Sequence, residues 1–132
     1  MNHCIVLIED DANSARLVTR LLERAGYQVF AASDGEAGME EVAARQPDVV
    51  LVDLGLPDID GQTIIGVLRQ QTSVKRTAIV AFTAWPEETA RAMVQAYGCD
   101  GIITKPVDTR TLAQQVAAYF AAPEGASEDK GQ

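Results

Sequence analysis

Five short apolar runs punctuate the chain: Cys4–Ile8, Gln28–Ala32, Val49–Val52, Ala78–Phe82 and Gly101–Thr104. Runs of this length bounded by polar or turn residues predict strands. The first, third and fourth are nearly unbroken in apolar residues, as expected of strands covered by helices on both faces. Between the runs the apolar period lengthens to that of a helix. Ala15, Val18, Leu22 and Ala25 share one face, and Gly26 follows as a C-terminal cap. Asp34 is placed to cap a second helix over Glu36–Arg45, which ends before Pro47. A third helix is predicted over Gln62–Gln70. Pro86 suits the first turn of a fourth, with Glu87 and Glu88 near its positive end and Gly98 beyond its finish. A fifth follows Asp108 and is expected to bury Leu112, Val116, Tyr119 and Phe120. Strand and helix alternating five times predict an α/β fold, a doubly wound (βα)5 parallel sheet with helices on both faces.

Length and composition narrow the picture further. The 132 residues suit one domain, which at this size buries roughly 70% of its unfolded surface and needs no disulfide or metal to fold. The domain is expected over residues 1–121. Residues 122–132 read as a disordered, acidic tail, because from Pro123 onward there is no apolar period. Eleven basic against nineteen acidic residues leave a formal charge of −8, which repels phosphate backbones and anionic lipid. Direct nucleic-acid and membrane binding are therefore not expected. No apolar run reaches the length of a transmembrane span or a signal-peptide core. Cys4 and Cys99 show no metal or redox spacing and are expected to be small buried hydrophobes. A cytoplasmic setting is the expectation that follows.

In open α/β sheets, ligands bind beyond the carboxyl ends of the strands. Four of the five predicted strands deliver a polar side chain to that rim. Glu9, Asp10 and Asp11 follow the first, Asp53 the third, Thr83 the fourth, and Lys105-Pro106 the fifth. If the first and third strands are neighbours, Asp53 meets the acids around Asp10. Two like charges at about 4 Å repel by about 4 kcal/mol at an effective dielectric of about 20, so the cluster must hold protons or a cation. Hard carboxylate oxygens suit Mg²⁺. Taken singly, Asp10, Asp11 and Asn13 could merely cap a helix, and Asp53 could be a turn residue ahead of Pro57, Asp58, Asp60 and Gly61. Taken together, Asp53 reads as a carboxylate nucleophile that accepts a phosphoryl group. Thr83 then reads as a hydroxyl donor to a phosphoryl oxygen and Lys105 as a point charge neutralising it.

Glu9-Asp10, Asp53 with its Pro57-to-Gly61 loop, Thr83-Ala84 and Lys105-Pro106 resemble the CheY-like receiver domain of two-component response regulators. The resemblance covers residues 4 to about 121. It implies a flavodoxin-like sheet of strand order 2-1-3-4-5 and Asp53 as phosphoacceptor. It also implies Mg²⁺ held by Asp10, Asp53 and the backbone carbonyl of Gly55, with Glu9 assisting. Thr83 and Lys105 would read the phosphoryl group, and the Lys105–Pro106 peptide would be cis. Implied partners are a sensor histidine kinase or histidine phosphotransfer protein and a downstream protein target, the domain itself being a monomer or a weak phosphorylation-dependent dimer.

Two positions depart from the usual receiver pattern. Ile102 stands where receivers commonly carry an aromatic residue that swings inward on activation, so no aromatic switch is expected. Trp85, two residues past Thr83, replaces a side chain that is frequently small or polar. It is either a packing residue at a helix start or a ring at the mouth of the site that obstructs attacking water. His3 is the one histidine and has no triad or metal partners in the sequence pattern. The leading functional expectation is a stand-alone phosphorylation switch rather than an enzyme. An alternative is a receiver-like interaction module that is never phosphorylated, although such modules usually lose an acid or the lysine. An aspartyl-phosphate phosphatase is disfavoured, because Asp53-Leu54-Gly55 lacks the second acid that those enzymes place two residues after the nucleophile.

Overall fold

All five predicted strands form, and they make one parallel sheet in the order β2-β1-β3-β4-β5. In this computed structural model, which describes residues 3–71, 77–96 and 98–120, they are β1 (Cys4–Ile8), β2 (Gln28–Ala32), β3 (Val49–Asp53), β4 (Ala78–Thr83) and β5 (Gly101–Thr104). β3 and β4 each run one residue further than expected and take Asp53 and Thr83 into the ladder. The helices are α1 (Ala12–Arg24), α2 (Gly35–Arg45), α3 (Gly61–Gln70), α4 (Glu87–Gln95) and α5 (Leu112–Ala117).

Alternation along the strands splits the core in two. Ile5, Leu7, Val49, Leu51, Val80 and Phe82 pack with Val18 and Leu22 of α1 and with Leu112 and Val116 of α5. Val6, Ile8, Val50, Val52, Ile79 and Ala81 pack with Val42 of α2, Ile64, Ile65 and Leu68 of α3, and Ala90 of α4. Successive side chains of a strand point to opposite faces, and both faces are covered. This explains why the inner strands carry no polar alternation.

Helix ends follow local chemistry with a few departures. Asp34 caps α2 by accepting the Ala37 amide at 2.8 Å. Gly26 ends the α1 segment at φ 101°, a conformation that side chains disfavour. Ala25, expected on the buried face of α1, is exposed, because it already belongs to the turn. Pro86 stands just outside α4 rather than in its first turn, its carbonyl accepting the Ala90 amide at 3.0 Å. Leu112 and Val116 are buried, whereas Tyr119 and Phe120 are half-buried. The Phe120 ring stacks with both His3 (centroids 4.2 Å) and Tyr27 (4.8 Å), and the three form one aromatic cluster. The predicted tail lies outside the described residues.

Candidate functional site

Parallel register brings the site together. Ile8 lies opposite Val52, so the next residues, Glu9 and Asp53, emerge side by side from the central strands. Asp53 pairs with Phe82, and Thr83 with Thr104, which places Thr83 and Lys105 on the next strand ends along the rim. The Lys105 amide donates to the Thr83 carbonyl at 2.8 Å, and the Lys105–Pro106 peptide is cis, as the receiver resemblance implies.

Glu9, Asp10 and Asp53 offer one oxygen each within 4.8 Å of one another. Glu9 is 2% exposed and Asp53 7%, while Asp10 is exposed at the rim. Buried carboxylates need partners. The Lys105 ammonium supplies them, its Nζ lying 2.6 Å from Glu9 Oε1 and 3.5 Å from Asp53 Oδ2. It also lies over the Phe82 ring, 5.0 Å from the centroid. Glu9 accepts the Asp11 amide at 3.0 Å, and the Ser14 hydroxyl approaches it at 3.4 Å. Asp53 Oδ1 accepts the Gly55 amide at 3.0 Å. Burial pushes the Asp53 carboxyl above the usual carboxylate range; the Gly55 amide and Lys105 oppose that rise, while the charge of Glu9 adds to it.

Three clustered carboxylates that already draw an ammonium are a hard-oxygen donor set for a divalent cation, and they fit Mg²⁺. Glu9, Asp10 and Asp53 are the side chains that would hold it, with the exposed Gly55 backbone beside Asp53.

Thr83 is buried, and its hydroxyl oxygen accepts the Trp85 amide at 2.9 Å, so its own proton is left to donate. Trp85 is half-buried and packs against the layer formed with α2, α3 and α4, as does Ile102. His3 stacks on Phe120 and lies 3.7 Å from Asp48, outside this cluster. Cys4 and Cys99 are half-buried rather than buried, and burial raises both thiols. A raised thiol pKa disfavours the reactive thiolate. Asp11, the alternative capping residue, stands at the N-cap of α1 but makes no side-chain cap bond.

Two parts of the surroundings had no sequence signal strong enough to single them out. Ser14 reaches Glu9 from the first turn of α1. Asp58 crosses to the N-terminus of α2, 23 residues back in the chain. Gly61, noted only as the end of a turn, allows a close approach. A Cβ there would sit 2.6 Å from the Asp53 carbonyl oxygen and from Leu54 Cα. Both atoms are backbone and have little room to yield.

The chain matches the response regulator receiver domain family over residues 5–117. It is 33% identical over 120 residues to the alkaline phosphatase synthesis transcriptional regulatory protein PhoP of Bacillus subtilis, covering 91% of this chain and 49% of that one. It is 22% identical to the polar-differentiation response regulator DivK of Brucella ovis, covering 91% of this chain and 98% of that one. Thus the chain spans about half the length of the PhoP relative and nearly all of the DivK relative. Among solved structures, a putative response regulator from Chloroflexus aurantiacus superposes with a TM-score of 0.86 at 28% identity, covering 92% of this chain and 99% of that one. The chemotaxis response regulator CheY4 of Vibrio cholerae shares the fold, with a TM-score of 0.85 at 24% identity over 90% and 99% of the two chains.

Proposed function

Because the chain belongs to the response regulator receiver domain family, we propose that it is a phosphorylation switch in which Asp53 accepts the phosphoryl group. The donor is a phosphohistidine of a sensor histidine kinase or histidine phosphotransfer protein. A carboxylate oxygen of Asp53 attacks phosphorus, the bond from phosphorus to the donor's imidazole nitrogen breaks, and an acyl phosphate forms. The observation that carries this reading is the Lys105 ammonium between Glu9 and Asp53, beside the three-carboxylate cluster. A cluster of acids repels an incoming anion, and a fixed cation at its edge offsets that repulsion. Thr83 donates its hydroxyl to a phosphoryl oxygen from the adjacent strand end. Lys105 moves from Glu9 toward the transferred group, which its flexible stem permits. Mg²⁺ held by Glu9, Asp10, Asp53 and the Gly55 carbonyl would supply further charge neutralisation.

Such a domain assists its own phosphorylation and dephosphorylation and is not a turnover enzyme. Its output is contact with a downstream protein in the cytoplasm, as a monomer or a weak phosphorylation-dependent dimer. No helix of the described residues is long and apolar enough to cross a membrane.

Incubation with acetyl phosphate and Mg²⁺ tests the assignment. Mass spectrometry should find one added phosphoryl group on Asp53, absent from Asp53→Asn. Label on another residue of the wild type would overturn it.

A further inference from the structure

The loop 54–60 between β3 and α3 carries Gly55 past Asp53, and what holds this loop is unevenly distributed. At its neck the Gly55 amide bonds Asp53 Oδ1, and the Gly61 amide reaches the Leu54 carbonyl at a long 3.4 Å. Leu56 is buried and Ile59 packs against the apolar layer. Apolar contacts fix depth in the core, but they are non-directional.

The directional tie is Asp58. Its Oδ1 accepts the Gly35 amide at 2.8 Å and its Oδ2 the Glu36 amide at 3.1 Å. These are the first two amides of α2, which have no partner within the helix. The third, on Ala37, is capped by Asp34. Two aspartates therefore divide one helix start, and only Asp58 comes from the phosphoacceptor loop. Gly35 makes the approach possible, since a Cβ there would meet Ile64 Cδ1 at 2.8 Å and Asp58 Oδ1 at 3.2 Å. α2 is itself seated on β1, where Gly38 lies against the side chain of Ile8, the residue before Glu9. A continuous chain of contacts thus runs from the loop beside Asp53 to the strand that carries Glu9 and Asp10.

We propose that Asp58 is a positioning residue for the phosphorylation site, holding the backbone at Gly55 in register with the carboxylates at the end of β1. The proposal rests on the function proposed above, in which Gly55 contributes a backbone oxygen to the metal site. Removing a group bonded directly to a metal ligand weakens metal binding by about tenfold or more, and Asp58, acting through the loop backbone, belongs at the lower end of that range. The same donor bonds pull the Asp58 carboxyl below its ordinary range, so it is ionised and bonding at neutral pH.

The test compares Asp58→Ala and Asp58→Asn with Asp34→Ala, which removes the other cap of the same helix without touching the loop. Mg²⁺ affinity by calorimetry should fall about tenfold in Asp58→Ala. It should fall less in Asp58→Asn, whose amide oxygen can still accept one bond, and change less than about twofold in Asp34→Ala. In metal-free protein, hydrogen exchange at the Gly55 amide should quicken in Asp58→Ala and not in Asp34→Ala. If the Asp58 and Asp34 variants behave alike in both measurements, Asp58 is an ordinary cap and the proposal fails. A wild type that binds no Mg²⁺ and takes no phosphoryl group would instead sink the functional reading. The exchange rates would then still decide whether Asp58 holds the loop.

Discussion

Asp53 is set between opposing influences. Burial and the neighbouring Glu9 raise its carboxyl, while the Gly55 amide and Lys105 lower it, and the rise prevails. A carboxyl whose folded pKa lies above its unfolded value of about 3.9 is ionised at neutral pH only at a cost to stability. That cost disappears as pH falls through the raised pKa, because the native state then takes up the proton. Asp53→Asn should therefore melt higher than the wild type at pH 7 in the presence of EDTA. A gain of about 3–5 °C would correspond to ~1 kcal/mol in a domain of this size. The gain should shrink as the buffer is made acidic, and melting curves across that range read it directly. A mutant that melts lower at pH 7 would show that Lys105 and Gly55 dominate instead.

Among the elements, Arg69 joins parts of the fold that sequence neighbours cannot. From the last turn of α3 its Nε donates to the Gly98 carbonyl at 3.0 Å and its Nη1 to the Thr77 carbonyl at 3.1 Å. Its Nη2 pairs with Asp100, whose carboxylate also accepts the Ile79 amide at 2.8 Å. One planar fork thus ties α3 to the start of β4 and to the turn before β5. Arg69→Ala should cost about 1–3 kcal/mol, since it leaves partly buried carbonyls unpaired. Arg69→Lys should cost nearly as much, because one compact ammonium cannot reach the separate acceptors that the guanidinium meets from three nitrogens in a fixed plane. Urea denaturation of both variants checks this. Full stability in the lysine variant would reduce Arg69 to a point charge.

For the whole molecule, the question is how an event at Asp53 reaches a partner. The Thr83 hydroxyl holds the Trp85 amide, and the Thr83 carbonyl holds the Lys105 amide. The two groups proposed to read the phosphoryl group are therefore bonded to the segments that lead into α4 and out of β5. Ile102 is half-buried against the apolar layer and offers no aromatic ring to swing. Phosphorylation should shift backbone amides at Ala84 to Ala90 and Ile102 to Lys105, on the face of α4, β5 and α5. Amide-shift mapping with and without acetyl phosphate tests this, and changes confined to α2 would rule it out.

The strands, the class of fold and the acids, hydroxyl and lysine of the rim were legible in the sequence for physical reasons. Buried parallel strands demand unbroken apolar runs, and a strand's last residue reaches the rim wherever its neighbours lie. Local rules also located the Asp34 cap and the Gly26 turn, since each depends on residues only a few positions away. Partners distant in the chain were not legible. Asp58 looked like one more turn residue after Pro57, because the amides it accepts lie on a helix 23 residues earlier. Arg69 falls inside the predicted third helix with no local motif to mark it, and the pairing of Lys105 with Glu9 spans 96 positions. No local pattern records such contacts. They exist only after folding has brought distant strands and helices side by side, so geometry between elements decided them.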